Sequence, residues 1–411
     1  MKILILTQYF PPEVGAPQNR LYELAVRLQK MGAEITVLTA MPNYPQMKIH
    51  QAYKGKFYSY EDMNGLKVHR SWIYVTASKG IFKRLLNYFS FVKTSFWIGL
   101  FKTGKFDYIL CESPPLFLGI SAYFLKIFKG AKLIFNVSDL WPESAEKLGL
   151  VSNRFFLKSA TKLEEFLYRK SAIVTGQTQG ICANISKRFP HKKVYWLPNG
   201  VDLQFFDASQ LESNWRAKMN FKESDLIFLY AGIIGHAQGL EVILHAADLL
   251  KDNQDLKFVM LGSGPEKEKL QDLKLKLTLD NVYLLDGVSK NEMPEIVAAI
   301  DVAIIPLKRL DLFKGAIPSK IFENLAMKKP ILLGVEGEAK ELFIDQGNCG
   351  LAFIPEDFNS LAMAVSSYHQ NRNLIKLHGE NGLEYVKTHF TRDKIAREFW
   401  NYLNTIETHA N

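Results

Sequence analysis

The sequence predicts an α/β protein of two doubly wound domains facing a central cleft. Three observations predict it. The chain has 411 residues, and a single hydrophobic core stops growing at roughly 250–300 residues. Short apolar runs alternate with helical stretches along its whole length, the pattern of parallel strands joined by helical crossovers. A turn at Pro198-Asn199-Gly200-Val201-Asp202, followed by a polar stretch through Asp225, interrupts this alternation before it restarts. The boundary separates residues 1–197 from 198–389, and the closing helix at about residues 390–411 is expected to leave the second sheet and pack back on the first domain.

In the first domain the strands are Ile3–Thr7, Ile35–Thr39, Asp107–Glu112, Lys132–Asn136, Ala172–Thr175 and Val194–Leu197. Several are continuous apolar runs, as strands covered on both faces should be. Helices over Gln18–Met31, Pro115–Phe128, Arg154–Arg169 and Thr178–Phe189 supply the crossovers. In the second domain the strands are Leu226–Tyr230, Lys257–Leu261, Val282–Leu285, Val302–Ile305, Ile331–Val335 and Leu351–Ile354. The helices between and after them are Leu240–Leu250, Pro265–Lys276, Met293–Ala299, Ser319–Met327 and Ser360–Tyr368, and Lys394–Ile406 closes the chain.

Composition narrows the function classes. Hydrophobic residues at 47% and charged residues at 23% are ordinary for a globular protein and exclude a disordered or low-complexity chain. The three cysteines, Cys111, Cys182 and Cys349, are dispersed, and no Cys/His cluster accompanies them, so neither a disulfide framework nor structural zinc is expected. The N-terminal apolar run is too short for a signal-peptide core. Leu85–Phe101, interrupted by Lys93, falls short of the roughly 20 apolar residues of a spanning helix. A cytoplasmic protein is therefore expected. The net charge of +9 is unevenly spread: residues 1–200 hold 28 Lys and Arg against 12 Asp and Glu, and the remainder is net acidic. One half is built to meet something anionic, either nucleic acid or a membrane surface.

Ligands of open α/β sheets bind beyond the carboxyl ends of the strands, and the informative residues stand there. After the first strand, Gly15 precedes a helix and would let its N-terminus approach phosphate. After the fourth, Asp139-Leu140-Trp141-Pro142-Glu143 sets two carboxylates and an indole in one loop, though Asp139 would also serve as a plain helix cap. The second domain opens with Gly232, Gly235, Gln238 and Gly239, a glycine-rich turn suited to a phosphate cradle. Farther on, Arg309, Lys314, Ser319 and Lys320 offer cations and a helix start for a diphosphate, and Glu323 offers an acceptor for a ribose diol. The segment Gly80–Phe106, with Lys79 just before it, mixes Lys83, Arg84, Lys93, Lys102 and Lys105 with aromatic side chains that include Phe89 and Trp97. These aromatics exceed what one buried helix face requires, and basic flanks around an apolar helix suit an anionic membrane surface.

Taken together, Pro198-Asn199-Gly200-Val201-Asp202, Tyr230-Ala231-Gly232, Gly262-Ser263-Gly264-Pro265-Glu266, Asp301 with Pro306, and Glu323-Asn324-Leu325-Ala326-Met327 resemble the family 4 glycosyltransferases, over essentially the whole chain. The resemblance implies the GT-B fold of two Rossmann-like domains, the first facing acceptor and membrane, the second binding the donor. It also implies retaining, metal-independent transfer from a nucleotide sugar, with no cofactor. Asp139-Leu140-Trp141-Pro142-Glu143, Gly235-His236-Ala237-Gln238-Gly239-Leu240 and Pro318-Ser319-Lys320 resemble the branch of N-acetyl-L-fucosamine transferases of bacterial surface-polysaccharide synthesis, such as O-antigen or capsule. That branch implies a UDP-linked deoxy-amino sugar as donor and a polyprenyl-diphosphate-linked sugar as acceptor. It makes the protein peripheral to the inner face of the plasma membrane.

Three positions depart from the family pattern. Ile233 and Gln238 stand near places where family members often carry diphosphate-binding Arg and Lys. Gly315 occupies the position of the first glutamate of the family's paired-glutamate motif, and Ser138 the place of a frequent histidine. The diphosphate is then expected to be neutralised by Lys320 with Lys314 or Arg309, and Asp139, with Glu143 second, to orient or deprotonate the acceptor. Rival readings are a UDP-sugar 2-epimerase of the same fold and a non-catalytic, membrane-associated sugar-binding protein. A nucleic-acid-binding protein would leave the second half's nucleotide-sugar pattern unexplained, and no nucleic-acid motif is present.

Overall fold

A computed structural model describes residues 1–408 apart from 14, 45, 77–79, 150, 208 and 210–212. Lys79, counted above among the basic residues, and the end of the closing segment at 409–411 lie outside the described residues. The chain forms two compact units. Unit 1 runs from Met1 to Pro198 and takes in the chain from Arg392 onward, and unit 2 is Asn199–Thr391.

Unit 1 is built on an eight-stranded sheet. Its strands are β1 (Lys2–Leu6), β2 (Glu34–Ala40), β3 (Tyr58–Met63), β4 (Leu66–Ser71), β5 (Tyr108–Ser113), β6 (Lys132–Val137), β7 (Ile173–Gly176) and β8 (Val194–Trp196). The order is β3-β4-β2-β1-β5-β6-β7-β8, parallel throughout except for the antiparallel β3/β4 pair. β3 and β4 are absent from the sequence-based expectation. Their signal is Asn64-Gly65, both at positive φ (54° and 83°), the pair that a tight hairpin turn demands. The polar side chains flanking it hide the strands, because a hairpin at the sheet edge does not need a continuous apolar run.

Alternation along the strands makes two apolar layers. Leu4, Leu6, Ile109, Leu133 and Phe135 face the helices Ile81–Lys102 and Leu118–Lys129. Ile3, Ile5, Leu110 and Ile134 face the opposite way, and Ile395, Ala396, Phe399 and Leu403 of the closing helix Arg392–Thr408 complete that layer. Arg27 pairs with Asp393 at 2.8 Å and Arg392 with Glu23 at 2.6 Å, tying this helix to the first helix, Ala16–Lys30.

Helix Ile81–Lys102 has two characters. One face is core: Phe91, Thr94, Ser95 and Ile98 are buried, and a Cβ at Gly99 would lie 2.7 Å from Leu125 of the neighbouring helix. The other face carries Phe82, Leu86, Phe89, Lys93, Trp97 and Phe101, all exposed, Phe82 and Phe101 by 71%.

Unit 2 is a six-stranded, wholly parallel sheet in the order β11-β10-β9-β12-β13-β14. The strands are β9 (Leu226–Ala231), β10 (Leu256–Leu261), β11 (Val282–Leu285), β12 (Val302–Pro306), β13 (Ile331–Gly334) and β14 (Gly350–Ala352). The winding direction reverses between β1 and β5 in unit 1 and between β9 and β12 in unit 2. Such switch points open a crevice at the carboxyl ends of the strands.

Candidate active site

In unit 2 the residues beyond the carboxyl ends of β9, β10 and β12 interlock. Gly232 N–H donates to the Leu261 carbonyl at 2.9 Å and Ile234 N–H to the Ser263 carbonyl at 2.9 Å. A Cβ at Gly262 would sit 1.8 Å from the Gly232 oxygen, and one at Gly264 2.2 Å from the Ile234 oxygen, both at positive φ. No side chain fits at either position, so the two loops lie backbone against backbone.

Lys320, the first residue of helix Lys320–Ala326, reaches back across this surface. Its Nζ lies 3.9 Å from the centre of the Tyr230 ring, and a Cβ at Gly232 would come within 2.9 Å of it. Tyr230 is buried and fixed, its hydroxyl donating to the Ile233 carbonyl at 2.6 Å. The aromatic face attracts the ammonium. Desolvation nevertheless dominates and lowers Lys320 to about 7, opposed by the charge of Glu323 one turn on. Gly235 and Gln238 share one turn, Gln238 N–H donating to the Gly235 carbonyl at 3.3 Å.

The other cations proposed for a diphosphate are already engaged. Arg309 is exposed with Nε 3.3 Å from Glu336, and Lys314 is exposed and paired to Asp311 at 2.7 Å. Ser319 precedes the helix as its cap residue without a capping side-chain bond. Of the three cations expected at the diphosphate, Lys320 is the one that the fold sets against Gly232.

In unit 1 a polar row crosses the carboxyl ends of three neighbouring strands. Glu112 of β5, Asn136 of β6 and Thr175 of β7 are register partners on one face. Thr175 donates to Asn136 Oδ1 at 2.5 Å, and Asn136 Nδ2 donates to Glu112 Oε2 at 2.5 Å. Glu112 Oε1 accepts from Arg20 Nη2 at 2.5 Å and from Ser138 Oγ. Both members of this ion pair are buried, with side-chain exposures of 8% and 3%. Asp139 follows directly. Its Oδ2 accepts from Ser144 Oγ at 2.7 Å, and burial raises its carboxyl above the usual range. Glu143 is a half-exposed partner of Lys147 at 2.6 Å. Trp141 packs edge-on against Phe117 and Phe156, with ring centres 5.5 and 6.0 Å away. Gly15 opens helix Ala16–Lys30 in extended backbone, where a Cβ would strike the Gln18 side chain at 2.4 Å.

Comparison with known proteins identifies this architecture. Residues 18–205 match the family model Glycosyltransferase Family 4, and residues 212–384 match Glycosyl transferases group 1. The chain is a family 4 glycosyltransferase with the GT-B fold. The transferase is 25% identical to a protein of Escherichia coli (strain K12) described as "Putative colanic acid biosynthesis glycosyl transferase WcaI", over 98% of this chain and 99% of that one. It is 25% identical, over 59% of its length and 62% of the other's, to the Campylobacter jejuni N-acetylgalactosamine-N,N'-diacetylbacillosaminyl-diphospho-undecaprenol 4-alpha-N-acetylgalactosaminyltransferase. Among solved structures, sucrose-phosphate synthase from Thermosynechococcus elongatus superposes with a TM-score of 0.78 at 15% identity, over 99% of both chains. Anabaena Alr3699/HepE in complex with UDP and glucose gives 0.70 at 16%, over 98% and 100%.

Sequence reasoning about the transferase missed Arg20, Glu112, Asn136 and Thr175. A signal existed: Glu112, Asn136 and Thr175 are each a polar residue next to the end of a largely apolar strand. The partner of Glu112 lies 92 residues away, where no local pattern reaches. Tyr230 was read only as part of a strand-and-turn motif, because its role as a platform depends on a helix that starts 90 residues later.

Proposed function

We propose that the transferase moves a sugar from a UDP-sugar to a polyprenyl-diphosphate-linked sugar, with retention and without a metal, at the cytoplasmic face of an anionic membrane during surface-polysaccharide synthesis. The donor is a deoxy-amino hexose such as N-acetyl-L-fucosamine. The observation that carries the donor assignment is the Lys320 ammonium lying on Tyr230 against Gly232. A departing nucleoside diphosphate gathers negative charge, and a fixed cation in a desolvated site stabilises that charge where it develops. Glu323, beside Lys320, takes the ribose, and Asp139 in unit 1 orients or deprotonates the acceptor hydroxyl. In this reading the cation chemistry falls to Lys320.

Two relatives support the substrate classes. The Campylobacter transferase is named for an acceptor on diphospho-undecaprenol, and HepE is described in complex with UDP and glucose. The membrane assignment rests on the exposed aromatic face of helix Ile81–Lys102. Phe124, Ile127 and Phe128 of helix Leu118–Lys129 extend it, and Lys83, Arg84, Lys93 and Lys102 stand on helix Ile81–Lys102. Among the described residues no helix is long and apolar enough to cross a membrane. Exposed apolar faces of this extent mark interaction sites, and basic residues around such a face favour anionic lipid.

The test is a thermal shift with UDP, GDP and dTDP in EDTA, followed by transfer of label from a UDP-sugar into extractable lipid. UDP at about a hundred times its Kd should stabilise the protein by about 2.7 kcal/mol. No shift with UDP, or transfer that requires added Mg²⁺ or Mn²⁺, would overturn the reading.

A further inference from the structure

We infer that Arg20 is a substrate-positioning residue of unit 1, a clamped guanidinium whose unused edge hydrogen-bonds the hydroxyl groups of the acceptor sugar. The inference rests on the reading of unit 1 as the acceptor side.

Arg20 stands early in helix Ala16–Lys30, and the residue is 7% exposed. Both of its side-chain hydrogen bonds run through Nη2, to Glu112 at 2.5 Å and to Ser138 at 2.7 Å. Nε and Nη1 have no protein partner among the described residues. A guanidinium carries five donors in a rigid fork, so most of this group's capacity is unspent. Glu112, by contrast, has most of its acceptor capacity filled. It accepts from Arg20 and Ser138 through one oxygen and from Asn136 through the other, and Asn136 is in turn held by Thr175. An acid so enclosed serves as a clamp that sets the plane of the guanidinium.

Place and cost both argue for a ligand. The network sits at the carboxyl end of the sheet beside the switch between β1 and β5, where a doubly wound sheet receives its ligand. Burying an ion pair is a poor way to gain stability, because desolvation offsets the attraction. An unfilled donor edge is the complement of hydroxyl oxygens, which accept. Ser138, bonded to the pair, is the residue before Asp139, so the clamp also fixes the start of the segment proposed to face the acceptor.

Arg20→Lys keeps a cation opposite Glu112 but presents no second donor edge. Glu112→Gln keeps the shape and releases the clamp. Both would be compared with the wild type by melting temperature, by UDP affinity in calorimetry, and by steady-state transfer from a UDP-sugar to a lipid extract bearing diphosphate-linked sugars. Arg20→Lys should keep its melting temperature and UDP affinity while the KM for the lipid acceptor rises, or kcat falls, by about tenfold or more, the scale of a lost hydrogen bond to a charged group. Glu112→Gln should move the same constants in the same direction. Unchanged transfer constants in a folded Arg20→Lys protein would overturn the inference, as would a selective loss of UDP affinity. If the wild type itself neither binds UDP nor labels lipid, the failure belongs to the functional reading.

Discussion

At Lys320 the conflict between solvation and chemistry is legible in one side chain. Burial lowers its ammonium to about 7, whereas an unfolded lysine titrates near about 10.4. Between those values the unfolded chain binds the extra proton, so this residue's contribution to stability increases as pH rises from about 7 to about 10 and is least favourable below 7. Lys320→Met should therefore raise the melting temperature of the free protein at pH 7, by about 2–4 °C for each kcal/mol relieved in a domain of this size. The same variant should bind UDP far more weakly, by about a hundredfold if one charge-stabilising contact of about 2.7 kcal/mol is lost. Wild-type UDP binding near pH 7.5 should take up protons, seen as a calorimetric enthalpy that varies with the buffer's ionisation enthalpy. Unaltered UDP affinity in Lys320→Met would remove the residue from the donor site. The sequence pointed to Lys320 because a cation and a carboxylate flank the first turn of a helix after a strand. The depressed pKa was invisible there, since it arises from burial, which tertiary packing decides.

Among the elements, helix Ile81–Lys102 shows why the aromatic content of one segment can exceed what a buried face requires. It is a core helix on one face and an aromatic surface on the other, which is why its aromatic content exceeded the needs of a single buried face. Liposomes containing anionic lipid should bind the protein at low salt. The attraction should weaken without vanishing as salt rises, because screening removes the part supplied by Lys83, Arg84 and their neighbours and leaves the apolar part. Replacing Lys83 and Arg84 with Glu, and Phe89 and Trp97 with Ser, should release it. All four side chains are exposed, so the fold should survive, and UDP affinity should be spared. Flotation of the variant equal to that of the wild type would return this face to an unassigned surface. The β3–β4 hairpin shows the opposite limit. Its turn signal, Asn64-Gly65, is local and strong, but its strands are disguised because Lys67, Glu61 and Asp62 interrupt the apolar pattern at the sheet edge.

For the molecule as a whole, the closing helix Arg392–Thr408 belongs to unit 1 although it follows unit 2 in the chain. Ile395, Ala396, Phe399 and Leu403 are at most 7% exposed there. Ending the chain at Thr391 would uncover the face of Ile3 and Ile5. Losing one buried Phe alone typically costs about 3–5 kcal/mol, so the unit 1 transition in scanning calorimetry should fall by more than about 10 °C or disappear. The unit 2 transition should persist and still shift with UDP. An unchanged unit 1 transition would show that the helix adds nothing to its core. Outside the β3–β4 hairpin, the sequence alone determined the strand and helix alternation, the division near Pro198 into two sheets, and the glycine and cation positions after β9 and β12. Hydrophobic period and turn chemistry are local, and they survive in any window of a dozen residues. Tertiary structure alone decided that Arg20 meets Glu112 across 92 residues, that Arg27 meets Asp393 across 366, and that Lys320 lies on Tyr230. Such pairs are set by which strand ends the winding brings together, and a side chain's burial, partner and charge follow from that meeting.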